Sequence, residues 1–540
     1  MNNITWRKTM RNYIKTLKPS ELIILFHLLV VLFGLPLVFH HGYFDIGPTK
    51  YYFYCGASAL LIPALFFKIR ERRSLPAFFK GLTAADKALL VYWAAAGLST
   101  LFSPYKFEAF WGNEGRFCGL FLTTIYVVVY LIVTRCHKPH SICVRACILS
   151  GSIVFLLAIA DYFNLNLLHF KDNVNPLQIP IFMSTIGNIN FYAGYGAIIL
   201  GLIAGLYVVW PELRGAAVLF ALMVLAFIGL IIGNSDNAYL TFGVLLAFLP
   251  LFLFKSRRGI RRYMMMVSGF LLSFMIVKMC DILFAGIVLK PDGIRSLIDR
   301  WDGFIFVCVA FWLLTAAVYK IDYKRQRQND SARTGILRIW IIFLALSAAV
   351  VIAVLIDANL LGHAGRYGGL RNYVVFSNDW GTHRGYVWST AIKNYMEFPL
   401  LQKIFGHGPD TYGIVSLFRN LPESAGLYGE LYDSVHNEYL QYFVTIGPIG
   451  TGAYIMFLVF SVRDILRCRS PYTLGITFSV LCYCTQAIVS ISQPATTPVM
   501  WAVLAVGIAY YRRTVLDTAQ NISAQNISAR KKGQVPSHEE

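Results

Sequence analysis

The sequence predicts an all-α polytopic membrane protein of about 14 transmembrane helices (12–14) with one large external, partly helical loop. Three observations predict it. Hydrophobic residues fill 57% of 540 positions and charged residues 14%, at a mean hydropathy of +0.57, which is too apolar for a soluble domain of this length. Apolar windows near the roughly 20 residues that cross a bilayer as helix recur along the chain. Lys and Arg gather in alternate inter-span segments, as in cytoplasmic loops.

The windows fall at residues 21–39, 51–69, 88–103, 119–134, 147–163, 191–209, 215–232, 238–254, 264–289, 303–319, 339–356, 439–460, 473–492 and 498–511. Residues 1–20 form an N-terminal segment, 21–356 carry helices 1 to 11, 357–437 form the loop, 438–511 carry helices 12 to 14, and 512–540 form a tail. The first window lacks a small-residue cleavage site and runs into His40-His41-Gly42-Tyr43, so it reads as an uncleaved helix. With the N-terminus inside, about 34 of the 48 basic residues lie in inside segments, about 13 lie outside, and Lys278 lies in a span. Both termini are therefore expected in the cytoplasm and the loop outside it.

The formal net charge of +20 follows from that asymmetry and is not a nucleic-acid footprint. Runs such as Lys255-Ser256-Arg257-Arg258 and Lys324-Arg325-Gln326-Arg327 read as anchors beside anionic membrane lipids. None of the ten cysteines lies in the loop, and no disulfide framework is implied. The tail repeats Gln520-Asn521-Ile522-Ser523-Ala524 as Gln525-Asn526-Ile527-Ser528-Ala529 and reads as a disordered cytoplasmic extension.

The loop concentrates the polar chemistry: Arg366, Arg371, His383, Arg384, His407, Asp433 and His436. Val387, Ala391, Ile392 and Tyr395 follow helical spacing from Arg384 to Phe398, and Pro399 stops the run. Gly406-His407-Gly408-Pro409-Asp410 reads as a tight turn. Asp433-Ser434 offers an N-cap for a helix through His436 into the twelfth span, which places His436 in a first helical turn.

Arg384 offers a planar fork of five donors suited to phosphate or diphosphate oxygens; the plainer reading is an interfacial anchor or a salt bridge to Asp379 or Glu397. His436 is a candidate general base, its helix N-terminal position favouring the neutral ring; a lone interfacial histidine is otherwise a structural hydrogen-bonding group. Asp433 and Glu438 are neighbouring carboxylates that could orient the ring or act as bases. Arg116, within Asn113-Glu114-Gly115-Arg116, is a second phosphate candidate or a solvated charge. Asn188 and Asn190 either hydrogen-bond a sugar or satisfy a helix start. Asn234-Ser235-Asp236-Asn237 is a turn or part of a cavity floor. No metal constellation, Walker A loop or dinucleotide fingerprint is present, so no metal and no cofactor is expected.

At these residues the chain resembles the O-antigen ligase and polymerase superfamily of bacterial envelope glycosyltransferases. Asp433-Ser434-Val435-His436-Asn437-Glu438-Tyr439-Leu440, with Gly447-Pro448-Ile449-Gly450 after it, resembles that family's HNxxL motif and downstream Gly-x-x-Gly. Arg384 with Trp388, Pro399, Gly406 and Gly408 resembles its Arg, Trp, Pro and Gly-x-Gly segment. Gly187-Asn188-Ile189-Asn190-Phe191-Tyr192-Ala193 resembles its GNxNxxA signature. The likeness covers most of residues 100 to 500, with a ligase-related core at approximately 187–500. One departure stands out: where many members carry Ser-Arg-Gly, this chain has Ser235-Asp236-Asn237.

The resemblance implies a lipid-donor (GT-C-like) glycosyltransferase architecture in the bacterial cytoplasmic membrane. It implies metal-independent, inverting transfer of a glycan from undecaprenyl diphosphate to the hydroxyl of a glycan, lipid or wall-polymer acceptor. His436 and Arg384 would be catalytic, and Arg116, Asn188, Asn190, Asn437, Glu438 and Trp388 would bind substrate. A polysaccharide polymerase or a protein O-oligosaccharyltransferase shares the signature. A lipid-linked oligosaccharide flippase is the alternative from another class, although no clear internal repeat supports one.

Overall fold

The structure is a computed structural model that describes residues 11–72, 81–324, 334–468 and 470–531. It is helical nearly throughout; among the described residues the exception is a two-stranded antiparallel hairpin, Phe182–Met183 against Gly187–Asn188. Among the described residues ten helices are long and apolar enough to cross a membrane: Pro19–Leu37, Ile46–Lys68, Ser141–Tyr162, Ile189–Val209, Leu213–Ile232, Arg257–Leu283, Phe304–Ile321, Gly335–Asn359, Glu438–Leu466 and Thr497–Thr518. The other four expected windows also hold helices, Ala84–Phe102, Leu120–Cys136, Asn237–Leu253 and Thr473–Gln486, but these fall outside that set. The protein is an integral membrane protein, with ten spans by this measure where about fourteen are expected.

The helix Ile189–Val209 is the axis of the bundle, with 94% of its apolar window buried. It crosses Thr473–Gln486 at backbone contact: a Cβ on Gly201 would lie 2.5 Å from the Phe478 carbonyl oxygen, and one on Gly205 would lie 2.6 Å from Gly475 Cα. Gly201 and Gly205 are one small-xxx-small pair, the spacing that lets membrane helices approach where no hydrophobic effect drives them together. Ser479 Oγ adds a hydrogen bond to the Ile198 carbonyl at 2.8 Å. At the other extreme, no residue in the window of Gly335–Asn359 is buried; its apolar surface suits contact with lipid.

The insert after Asn359 is mostly helical, with Trp380–Met396, Leu400–Phe405 and Tyr412–Tyr428 as its main helices. Pro399 separates the first two and occupies the N-cap of the second, in keeping with its role as a stop. Tyr386, Val387, Ala391, Tyr395, Phe398 and Tyr412 belong to a core of the insert's own. A kink joins this core to the membrane body. Pro448 cannot donate to the Val444 carbonyl, and Gly447 leaves helical geometry at φ +74. The freed carbonyls of Val444 and Thr445 accept from His407 N (3.1 Å) and Gly408 N (2.9 Å). A Cβ on Gly406 (φ +82) would lie 2.3 Å from Thr445 backbone atoms, so the turn expected at Gly406–Asp410 is docked on a broken helix.

At the end opposite the insert, fully buried Asp86 pairs with Arg135 at 3.2 Å and with Arg512. This tie draws the last helix onto the body. That helix spans Thr497–Lys531 instead of ending near Tyr511, so residues 512–531 are helical where an unstructured tail is expected. Ala, Gln, Arg and Lys in this stretch favour helix, and Arg513 pairs with Asp517 one turn on. Residues 1–10 of the N-terminal segment, 325–327 of one basic run and 532–540 of the tail lie outside the described residues.

Candidate active site

His436 does not sit in a first helical turn. Asn437 is the N-cap of Glu438–Leu466, its side chain accepting from Leu440 N at 3.0 Å. His436 precedes it in the left-handed region at φ +52, an uncommon backbone state for a non-glycine residue. Asp433, expected at the cap, is held elsewhere: Arg116 Nε donates to Asp433 Oδ2 at 2.7 Å, and Arg116 Nη2 donates to Oδ1. Trp388 Nε1 donates to the Val435 carbonyl at 3.0 Å, and Val435 N donates to Gln441 Oε1 at 2.9 Å. The segment before His436 is thereby fixed on both sides.

Arg384 follows three consecutive left-handed residues, Gly381 (φ +62), Thr382 (φ +59) and His383 (φ +66). Positive φ is costly for a β-branched threonine, and such strain collects at ligand sites. The insert's fold holds the turn: Tyr386 N donates to the Asn378 carbonyl at 3.0 Å, and His383 Nδ1 meets the Tyr432 hydroxyl at 2.8 Å while stacking on Tyr428. Arg384 Nη1 donates to the Gly381 carbonyl at 2.5 Å, and its Nε is buried without a partner. The alternative of a salt bridge to Asp379 or Glu397 does not describe Arg384: Glu397 pairs with Arg419, and the carboxylate acting on Arg384 is Asp236.

Arg116, Arg384 and Asp433 all act on His436 electrostatically. Burial, then the two guanidinium charges, push its imidazole down to about 3, against the opposing pull of Asp433. The ring is neutral at physiological pH for these reasons and not through a helix dipole. Burial alone would raise the Asp433 carboxyl, but the hydrogen bond and charge of Arg116 hold it below its ordinary value. Burial also lowers Arg384.

Asp410 completes the frame and was not singled out as a site residue from sequence. Its Oδ2 accepts from the backbone N–H groups of Asn113 (2.8 Å) and Cys118 (2.9 Å), which closes the loop that carries Arg116. Burial raises its carboxyl to about 6 despite those two donors and Arg116. Only the Pro-Asp step within a glycine-rich turn hinted at it. Behind Arg116 lies a cavity of about 30 Å³ lined by Asp410, Ser434, Glu438 and Tyr442, room for one or two waters.

The remaining candidates have structural partners. Asn188 caps Ile189–Val209 by accepting from Asn190 N at 2.9 Å. Asn190 Oδ1 accepts from Ser235 Oγ (2.9 Å) and Asn237 Nδ2 (3.0 Å), and so braces the 234–237 kink. Glu438 is buried and accepts from the Tyr454 and Tyr483 hydroxyls at 2.7 and 2.9 Å. His407 is buried against Thr411; Arg366 pairs with Asp357. At the Ser235-Asp236-Asn237 departure, Tyr373 donates to Asp236 Oδ2 at 3.1 Å. Besides Arg384, which Asp236 affects electrostatically, buried Arg295 faces that kink and binds Asn234 Oδ1 at 2.9 Å and Asp281 at 2.5 Å.

Residues 303–455 match the O-antigen ligase family. The match takes in Arg384, Trp388, His436, Asn437 and Glu438; Arg116, Asn188 and Asn190 lie outside it, and it is narrower than the core expected over 187–500. Comparison with curated proteins gave no match.

Proposed function

From the match of residues 303–455 to the O-antigen ligase family, we propose that the protein is a membrane glycosyltransferase of the lipid-donor class. It transfers a glycan from undecaprenyl diphosphate to an acceptor hydroxyl at the outer face of the bacterial cytoplasmic membrane. The observation that carries this reading is a buried histidine at the entrance to Glu438–Leu466, kept neutral by its burial and by the charges of Arg116 and Arg384.

The acceptor oxygen attacks the anomeric carbon as the bond from that carbon to the diphosphate breaks, with inversion. Negative charge grows on the departing diphosphate, so donors aimed at it stabilise the transition state more than the ground state. Arg384, with an unpartnered Nε, is the group best prepared for this. Arg116 has committed Nε and Nη2 to Asp433 and contributes chiefly its charge. The acceptor proton passes to His436. Without ligand, burial and after it the two cations hold this imidazole weakly basic; a bound diphosphate offsets their charge and raises its basicity as the acceptor arrives. Trp388 and Asn437 hold the His436 segment, a positioning role.

The test is release of undecaprenyl diphosphate by the purified protein given a lipid diphosphate glycan and acceptor. Full activity in an Arg384→Ala, His436→Ala double variant would sink the assignment. Glycan movement across vesicles with no new glycosidic bond would favour a flippase instead.

A further inference from the structure

A second concavity lies apart from the arginine and histidine cluster. The loop after the first span and the loop after Ser141–Tyr162 border an open groove of about 220 Å³, far more than the 30 Å³ behind Arg116 and a little below the roughly 300 Å³ at which drug-sized pockets begin. Phe39, Phe44 and Phe170 line it with His40, His169 and Asp172. Each of two imidazoles is oriented by a carboxylate: His40 Nδ1 to Asp45 Oδ2 at 2.8 Å and His169 Nδ1 to Asp172 Oδ2 at 3.1 Å. That leaves each ring's Nε2 for a ligand. Phe39 and Phe44 are 42% and 61% exposed, so their rings are open to a partner. The second loop is shaped by left-handed Asn164, Asn166, His169 and Asn173, conformations that cost energy and persist where the surroundings fix them.

We infer that this pocket is a subsite for a neutral sugar ring of the glycan chain. Aromatic faces take up the apolar C–H face of a sugar, while oriented imidazoles, carboxylates and amides pair with its hydroxyls. Among the described residues no Lys or Arg lines the cavity, which argues against a phosphate or an acidic glycan. The pocket is on the face that carries the insert. The helix following its first loop starts at Ile46, and a Cβ on Gly47 would lie 3.0 Å from the Gly115 carbonyl beside Arg116. Gly42 and Gly47 are at most about 18 Å apart along the chain. An oligosaccharide anchored here lies within a few sugar rings of the loop that carries Arg116. The word glycan rests on the transferase reading; binding of a sugar does not.

The test is saturation-transfer NMR on the full-length protein in a sugar-free detergent. The probes are the methyl glycosides of glucose, galactose, rhamnose and N-acetylglucosamine. At least one should receive saturation, and Phe44→Ala with His169→Ala should weaken its binding about 5- to 10-fold. Both side chains are largely exposed, so thermal unfolding should not move; His169→Ala alone supplies a milder variant. Arg384→Ala should leave the signal unchanged, and so should inorganic diphosphate. No transfer to any of the four, equal transfer in the variants, or displacement by phosphate overturns the inference. Sugar binding without undecaprenyl diphosphate release would keep the subsite and defeat the transferase; release without sugar binding would do the reverse.

Discussion

Arg116 and Asp433 meet through two hydrogen bonds across 317 positions of sequence, Arg116 Nε lying 2.7 Å from Asp433 Oδ2. The pair fastens the short loop after Ala84–Phe102 to the insert just ahead of His436. Asp433→Asn should lower stability by about 1–2 kcal/mol, since Asp433 is 44% exposed and solvent screens part of the interaction. Thermal unfolding of the purified variant measures this.

Arg384→Ala should reduce turnover about 100- to 1000-fold, the usual effect of deleting one donor to developing negative charge. Arg384→Lys should fall between the variant and the wild type, because an ammonium cannot reproduce the fork. Steady-state release of undecaprenyl diphosphate reads both. Wild-type rates with lysine would reduce Arg384 to a bulk charge.

The pH dependence of stability should carry the mark of His436. Its folded value is depressed to about 3 against about 6.5 in the unfolded chain. Between those values the unfolded state binds the extra proton, so the wild type loses stability as pH falls from about 6.5 toward 3. His436→Gln should lose less over the same window; parallel unfolding curves for the two proteins would contradict the assignment.

Kinetics should separate the free and loaded sites. Burial and, after it, the charges of Arg116 and Arg384 hold the imidazole down; on the proposed reading a donor diphosphate offsets those charges, so the acid limb of kcat should lie at higher pH than that of kcat/KM. Coincident limbs would show that the donor leaves His436 unaffected.

Gly406→Ala should undock the insert. Its φ of +82 and the 2.3 Å approach to Thr445 make the added methyl cost more than about 2 kcal/mol. Activity should be lost while the membrane body stays folded, with new protease cuts confined to residues 360–437.

The apolar windows were legible because lipid demands long apolar helices, and each coincides with a helix; the shorter or more polar ones, such as Thr473–Gln486, are where the count of spans departs. Arg384 and its helix were also legible, since Pro399 and the spacing of Val387, Ala391 and Tyr395 are local signals. The environment of His436 was not. Asp433-Ser434 and Asn437-Glu438 are both credible helix starts, and what selects the second is an arginine more than 300 positions away. Asp410 was missed for the same reason: its two partners are backbone N–H groups of a remote loop, and backbone donors leave no trace in residue type.

The broken helix at Gly447-Pro448 sets a timetable for biosynthesis. The loop that carries Arg116 is synthesised early, but the residues that fix that loop arrive 292 to 317 positions later. The turn at Gly406 has no dock until Val444 and Thr445 follow it. A nascent chain halted before residue 444 can have most of its spans in place and still lack a working centre. Completion of the helix Glu438–Leu466 acts as an assembly checkpoint, so truncated products should accumulate in the membrane as inert protein.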